Sequence, residues 1–272
     1  MNMMTDTRPS ALALTPLTYG GPAARWRSEA MRSHDTPRLI HVTKGQGRIT
    51  VAGLTGGYGP NNLIYIPAQT IYGMELGSTV FAQMLTLPDA TGWPDAPFHL
   101  RLRDVTNQKE LQHLIEAIER ELKPSGDMRA AHCYLGLLSI FVERQLATRD
   151  PASIDIRHKS AAAKLVARYT RLIAQDFHSD RGVADYAATL GVTPTHLTRC
   201  CKQTCGRSAL GLLNERVHFE ACTLLRDTAR PVQEIAKSLG FRSAAYFNRS
   251  FQSRAGKTPS DFRRQRGNLP RT

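Results

Sequence analysis

Val232-Gln233-Glu234-Ile235-Ala236-Lys237-Ser238-Leu239-Gly240-Phe241 repeats, about fifty residues on, the pattern of Val183-Ala184-Asp185-Tyr186-Ala187-Ala188-Thr189-Leu190-Gly191-Val192. Each copy carries a small residue, Ala187 or Ala236, where a second helix must cross closely. A leucine to pack beneath a turn follows, then a glycine able to end a helix in the left-handed conformation. Fresh helix starts come next: Thr193 as N-cap with Pro194 at the first helical position, and Ser243 as N-cap in the second copy. In the helices so opened, Leu197 and Cys201 match Phe247 and Phe251 as inward anchors four residues apart. Thr198-Arg199 and Asn248-Arg249 then fall on the outward face at equivalent places. Helix, glycine turn and helix with a polar, arginine-bearing face is the geometry that lays a helix in the major groove of DNA.

Charge points the same way. From His158 to Thr272 the chain holds 20 Lys/Arg against 8 Asp/Glu, a net +12, whereas residues 1–157 hold 16 against 15, a net +1. Nearly all of the formal +13 therefore sits in the C-terminal part, beside a polyanionic partner, with a neutral module before it. Charge alone fits nucleic acid and an anionic membrane equally. The duplicated motif decides for double-stranded DNA. At 272 residues, 41% hydrophobic and 22% charged, the chain has ordinary globular composition, which excludes wholesale disorder. Met1 to Ser10 carries Asp6 and Arg8 rather than the apolar core of a signal peptide. No apolar run approaches the ~18 residues of a membrane span. Five cysteines fall in no repeating framework, which suits a reducing cytosol. A cytoplasmic protein with no membrane partner is expected.

Before the repeats the pattern changes. Leu39-Ile40-His41-Val42, Ile49-Thr50-Val51, Leu63-Ile64-Tyr65-Ile66 and Val80-Phe81-Ala82-Gln83-Met84-Leu85 read as strands. Gly45, Gly47, Gly53, Gly56, Gly57 and Gly59 are read as their turns, which suggests a small barrel or sandwich. Leu111, Ile115, Ile118 and Leu122 then stripe one helix, closed by Pro124-Ser125-Gly126. A second helix, from about Arg129 to Leu146, is apolar around its middle (Tyr134, Leu135, Leu137, Leu138, Ile140, Phe141, Val142), so burial between elements or subunits is expected. Thr148 to Lys159 reads as a linker. Beyond Ala161 the chain reads as wholly helical, with stripes Leu165, Tyr169, Leu172, Phe177 and Leu210, Leu213, Val217, Ala221, Leu224. The fold class is α+β: a barrel at residues 1–104, a helical dimerisation element at 105–150, a linker at 151–160, and an all-α domain at 161–266. Helix-turn-helix units are placed at 183–204 and 232–254.

The run from Ile235 to Phe251, continued by Gly256-Lys257-Thr258-Pro259-Ser260-Asp261-Phe262-Arg263, resembles the signature of AraC/XylS-type transcription regulators. His196-Leu197-Thr198-Arg199, Gly206, and Arg216 with Ala221 extend the likeness upstream, so that it covers about Ala161 to Arg266. The resemblance implies a seven-helix domain in which two helix-turn-helix units, joined by a long helix, each read a neighbouring major-groove segment. It places DNA contacts at Thr195, Thr198 and Arg199 in the first unit and at Ala244, Ala245, Asn248 and Arg249 in the second. A guanidinium can bond guanine bidentately, worth ~1–3 kcal/mol of discrimination, and an asparagine suits adenine. Ala244 and Ala245 offer only methyl contact. Arg242, Ser243 and Lys257 are cast as phosphate contacts, which position without specifying. Thr258-Pro259-Ser260-Asp261 is a capping-box start for the last helix. The family also implies a homodimer, a small-molecule effector and, for an activator, contact with RNA polymerase.

The N-terminal strands resemble the cupin-like sensor barrel common in these regulators, with Gly45-Gln46-Gly47 as a tight turn and Leu63 to Pro67 as its returning strand. A metal-dependent cupin needs a His-x-His pair, a glutamate and a further histidine. Here His34 and His41 lie near the first site without the pair, and Tyr72 stands where the later histidine belongs. No catalytic residue, metal or cofactor is therefore expected, and His34, His41, Tyr65 and Tyr72 are the candidate ligand-pocket residues. The competing readings are a cupin enzyme fused to a DNA-tethering domain and a constitutive DNA binder with a vestigial barrel. Cys200, Cys201 and Cys205 pose a choice between a redox or metal sensor and packing. Positions 200 and 201 normally carry buried apolar residues in this motif, which favours packing and leaves Cys205 tolerant of substitution. A fragment from about residue 151 onward is expected to fold and bind DNA alone.

Overall fold

Eight strands and three helices form the N-terminal part of the computed structural model, which describes residues 11–21, 24–148 and 160–265. In chain order they are β1 (Ala13–Thr18), α1 (Trp26–Glu29), β2 (Arg38–Lys44), β3 (Gly47–Val51), β4 (Leu54–Tyr58), β5 (Asn62–Ile66), β6 (Tyr72–Met74), β7 (Phe81–Thr86), β8 (Phe98–Arg101), α2 (Val105–Glu121) and α3 (Met128–Ala147). The readings of Met1 to Ser10 and, apart from Ser160, of the 151–160 linker lie outside the described residues.

The barrel takes the form of two antiparallel sheets rather than a closed ring of strands: β1-β7-β2-β5-β8 and β4-β3-β6. Alternation along β2 and β5 explains their unbroken apolar runs. Leu39, Leu63 and Tyr65 face a core closed by α2 and α3, whereas Ile40, Val42, Ile64 and Ile66 face the second sheet. Asp104 and Asp127 cap α2 and α3 by accepting the amides of Asn107 and Arg129. Gly56 and Gly57, read as turn residues, lie inside β4, an edge strand pairing with Ile49 and Arg48. An edge strand has no second neighbour to demand side chains, so glycine is tolerated there. The true turn is Ala52-Gly53, whose φ values of 49° and 76° suit a two-residue hairpin.

Seven helices follow: α4 (Ala161–Asp176), α5 (Val183–Thr189), α6 (Pro194–Cys205), α7 (Ala209–Asp227), α8 (Val232–Ser238), α9 (Ala244–Ala255) and α10 (Pro259–Arg264). Ser160, Thr193, Ser208, Ser243 and Thr258 each accept the amide three residues on, capping α4, α6, α7, α9 and α10. α7 is a spine common to two cores. Ala209, Leu212 and Leu213 enter the core of α4, α5 and α6, while Ala221, Cys222 and Leu225 enter that of α8, α9 and α10. Serving two neighbours turns its buried face, so Leu210, placed on the expected stripe, is 53% exposed, and the buried stripe runs through Leu212 and Arg216 instead.

The two parts are packed together. The Trp26 ring lies 5.8 Å from both Phe219 on α7 and Phe262 on α10. Met31 and Ile71 join the core of Val166 and Tyr169. Arg207, ion-paired with Glu215 at 3.1 Å, donates from Nη1 to Thr50 Oγ1 at 3.2 Å. The Ala52-Gly53 turn meets α4 so closely that a Cβ on Gly53 would collide with Val166 Cγ1. This seam revises the expectation of an autonomous fragment from residue 151, because such a fragment would lose Trp26, Met31 and Ile71 from its cores.

Gly53→Val should therefore destabilise the full chain by about 1–3 kcal/mol in denaturant unfolding, through strain at positive φ and the clash with Val166. Gly56→Ala, whose Cβ meets nothing within 4 Å, should stay within about 0.5 kcal/mol of the parent. Acid should also destabilise the fold. Burial lowers His41 from 6.5 to about 4 and His218 to about 4; burial, then Arg38, Arg32 and Arg216, lowers His34 to about 3. The unfolded chain binds these protons first, so the stability present above pH 6.5 should be lost as pH falls toward 4. A flatter acid limb in His41→Gln checks the assignment.

Candidate nucleic-acid interface

The repeated segments form two like units, α5–α6 and α8–α9. Each first helix ends at a glycine of positive φ, 70° at Gly191 and 77° at Gly240. Each second helix ends the same way, at Gly206 (70°) and Gly256 (69°). Gly240 is confined as well as twisted, since a Cβ there would run into the carbonyl of Ser179. Leu197 and Cys201 on α6, and Phe247 and Phe251 on α9, are buried against the cores below. The residues one and two places after the first anchor, Thr198-Arg199 and Asn248-Arg249, then turn away from the core.

On α6, Thr195 and Arg199 are exposed and Thr198 is half-buried. Arg199 Nη2 donates to His196 Nδ1 at 3.0 Å, and the other ring nitrogen of His196 lies 3.6 Å from Cys200 Sγ. On α9, Ala245, Asn248 and Arg249 are exposed and Ala244 is half-buried. Lys202 and Gln252 continue the same two faces one turn further and are also exposed. Tyr246, which the sequence reading did not assign, is 58% exposed at the place on α9 that His196 holds on α6. Its position just before an inward anchor, next to two bare alanines, was the available signal. Among the expected phosphate contacts, Arg242 is exposed, with only a loose approach of 3.9 Å to Asp180. The Ser243 hydroxyl accepts from the Tyr246 amide as an N-cap. Lys257 Nζ donates to Gln265 Oε1 at 2.6 Å, so its ammonium is held at the C-terminal end of α10.

The cysteines are packed. Cys200, Cys201 and Cys205 are all buried, and Cys205, expected to tolerate change, donates from Sγ to the Cys201 carbonyl at 3.2 Å. Burial pushes the Cys201 thiol up to about 12 and raises that of Cys205, which keeps both protonated and poorly nucleophilic.

The four candidate pocket residues divide. His34 Nε2 and Tyr72 Oη are 3.1 Å apart, with the Arg32 guanidinium 4.4 Å from the Tyr72 ring centre. His41 and Tyr65 instead project from the opposite face of the five-stranded sheet, where Tyr65 stacks at 5.4 Å on Trp93 and 5.3 Å on Phe98. Strand alternation is the cause: His41 shares the face of Leu39, and Tyr65 that of Leu63. One pocket lined by all four is thereby excluded, and His34 and His41 cannot converge on one ion.

Sequence comparison with known proteins matches the segment that carries α6 and α9. The helix-turn-helix domain family matches residues 186–265. The arabinose operon regulatory protein of Salmonella typhimurium (strain LT2) is 29% identical over 133 residues, 48% of this chain and 47% of that protein. The right origin-binding protein of Escherichia coli (strain K12) is 32% identical over 95 residues, 34% of this chain and 33% of that one. The chain thus spans about half, or less, of the length of these curated relatives. Among solved structures, ToxT from Vibrio cholerae O395 aligns over 95% of this chain and 98% of its own, with 10% identity and a TM-score of 0.43.

The packed cysteines give a direct check. Cys201→Ser and Cys205→Ser should each cost about 1–3 kcal/mol by placing a hydroxyl in an apolar core. The exposed Cys133→Ser should be silent, and mild oxidant should leave DNA binding of the parent unchanged.

Proposed function

The C-terminal domain belongs to the AraC/XylS helix-turn-helix family, and from that premise we propose that the chain is a sequence-specific transcription regulator responsive to a small molecule. One observation carries the reading: two equivalent helices, α6 and α9, each expose a polar face on the half of the chain that bears a net +12. The proposed partner is double-stranded DNA. Arg199 and Arg249 read base edges, with Thr195, Thr198, Asn248, Ala244 and Ala245 around them, while Arg242, Ser243 and Lys257 face phosphates.

In this reading residues 1–104 sense, 105–150 dimerise and 161–266 read DNA. α3 exposes Leu137 (52%) and Ile140 (44%), a fitting surface for a second copy. A dimer would bind paired sites and gain affinity because the second contact becomes intramolecular. The sensor touches the supports of both reading units: Arg207, beyond the end of α6, and, through Trp26, α7 and α10, which share the core beneath α8 and α9. Effector binding could therefore shift how the units sit relative to each other. Cytoplasmic location, contact with RNA polymerase and absence of enzymatic activity belong to the same proposal. The separation of His34 from His41 by the sheet counts against the metal-dependent enzyme.

Randomised-site selection with the parent, Arg199→Ala and Arg249→Ala tests the reading. Each substitution should cost about 1–3 kcal/mol and relax preference at one base step, the two steps lying about ten base pairs apart. Lys257→Ala should weaken all sequences alike and reduce the salt slope by about one. Selected sequences identical for all four proteins would contradict base readout by these arginines.

A further inference from the structure

The inner face of the five-stranded sheet is apolar along most of its length and turns polar at one end. Ile64 and Ile66 on β5 face the second sheet, and Asn62, two residues before Ile64, shares their face. On the neighbouring strand β8, His99 pairs with Ile64 and Arg101 with Asn62, so both lie on that face too. β8 is an edge strand, and beside it the turn Gly59-Pro60 and Gln46 leave an open cleft of about 390 Å³, within the range of small-molecule sites. It is at the opposite end of β5 from the strand residues that pair toward Arg38, hence away from the His34–Tyr72 pair.

The cleft is preorganised. Asn62, 4% exposed, accepts at Oδ1 from His99 Nε2 (2.6 Å) and from the Gly59 amide (3.2 Å), and donates to the Pro60 carbonyl (3.2 Å). These bonds fix the imidazole and the turn in place. Arg101 makes no ion pair among the described residues, and no carboxylate lines the cleft. The guanidinium at the rim and the amide of Gln46, beside a wall that the Asn62–His99 bond holds rigid, form a set that attracts negative charge and matches hydroxyl groups. Such a set, at the mouth of the strand domain, does not suit a hydrocarbon ligand.

We infer that the cleft between Asn62, His99, Arg101 and the Gly59 turn binds a small hydroxylated carboxylate, such as a sugar acid or hydroxy acid. The inference rests on the N-terminal part being a sensor, and names the ligand class and its place. Arg101 takes the carboxylate and Gln46 a hydroxyl, while His99, bonded through Nε2 to Asn62, forms part of the wall.

The test is calorimetric titration of the full chain with gluconate and malate, with glucose as the neutral counterpart of gluconate. At least one acid should bind, glucose should not, and Arg101→Ala should weaken the acid about ten- to a hundredfold. Gly59→Phe fills open space, since a Cβ there meets nothing within 4 Å, and should abolish binding. Arg101 is exposed, so its alanine variant should unfold with the parent and serves alone if Gly59→Phe does not fold. Failure of both acids to bind, or binding unchanged in Arg101→Ala, overturns the inference. Operator affinity is read in parallel. A neutral compound that changes it while the acids do not overturns the anion class but leaves the effector reading intact. If acids bind at the cleft yet DNA affinity never moves, the site stands and the effector reading falls.

Discussion

The burial of two side chains four residues apart on each reading helix is the constraint on which the DNA-facing surface depends. Leu197 with Cys201, and Phe247 with Phe251, can reach apolar cores only if their helices are rotated so that Arg199 and Asn248-Arg249 face outward. Arg199 and Arg249 owe their outward place to those anchors, and Arg199 is held further by its bond to His196 Nδ1. The two anchor pairs differ in bulk, a leucine and a thiol against two phenylalanines, and the cores beneath differ to match. Phe247 and Phe251 lie in an aromatic chain with Phe241 and Phe262 at 5.1 to 5.8 Å. The first unit packs instead against Tyr169 and Tyr186, with Tyr169 donating to the Ala209 carbonyl at 2.9 Å.

α7 transmits that constraint between the units. Its Arg216, buried among apolar groups, is held by Glu220 at 2.9 Å and lies 3.7 Å from the centre of the Phe177 ring at the end of α4. A guanidinium so placed loses hydration that the carboxylate and the ring must replace, which favours one arrangement of α4 and α7 over others. Phe219, one turn further along α7, meets Trp26 from the N-terminal part. The same helix thus carries the contact between units and the contact with the N-terminal part.

The helical half was legible because its signals are local. Capping residues, glycines and anchors all lie within a dozen residues of each other, and Thr193, Ser243, Gly191 and Gly240 sit where such signals place them. β4 was missed because its glycines, taken as punctuation, occupy an edge strand that no neighbour forces to carry side chains. Leu210 was misplaced because α7 serves two cores, and a single stripe cannot describe a helix with two partners. His41 and Tyr65 were grouped with His34 and Tyr72 by chemistry alone; the pleat separates them. The Trp26–Phe219 contact joins residues far apart in sequence, where no periodicity applies.

In the proposed reading both α6 and α9 enter the major groove, side by side on one face of the duplex. Methylation interference on a selected binding site measures this directly, because N7 of guanine lies in that groove. Two segments where methylation blocks binding are expected, about one helical turn or ~34 Å apart for each protomer. Interference confined to one segment, with the second unit indifferent to groove modification, would contradict it.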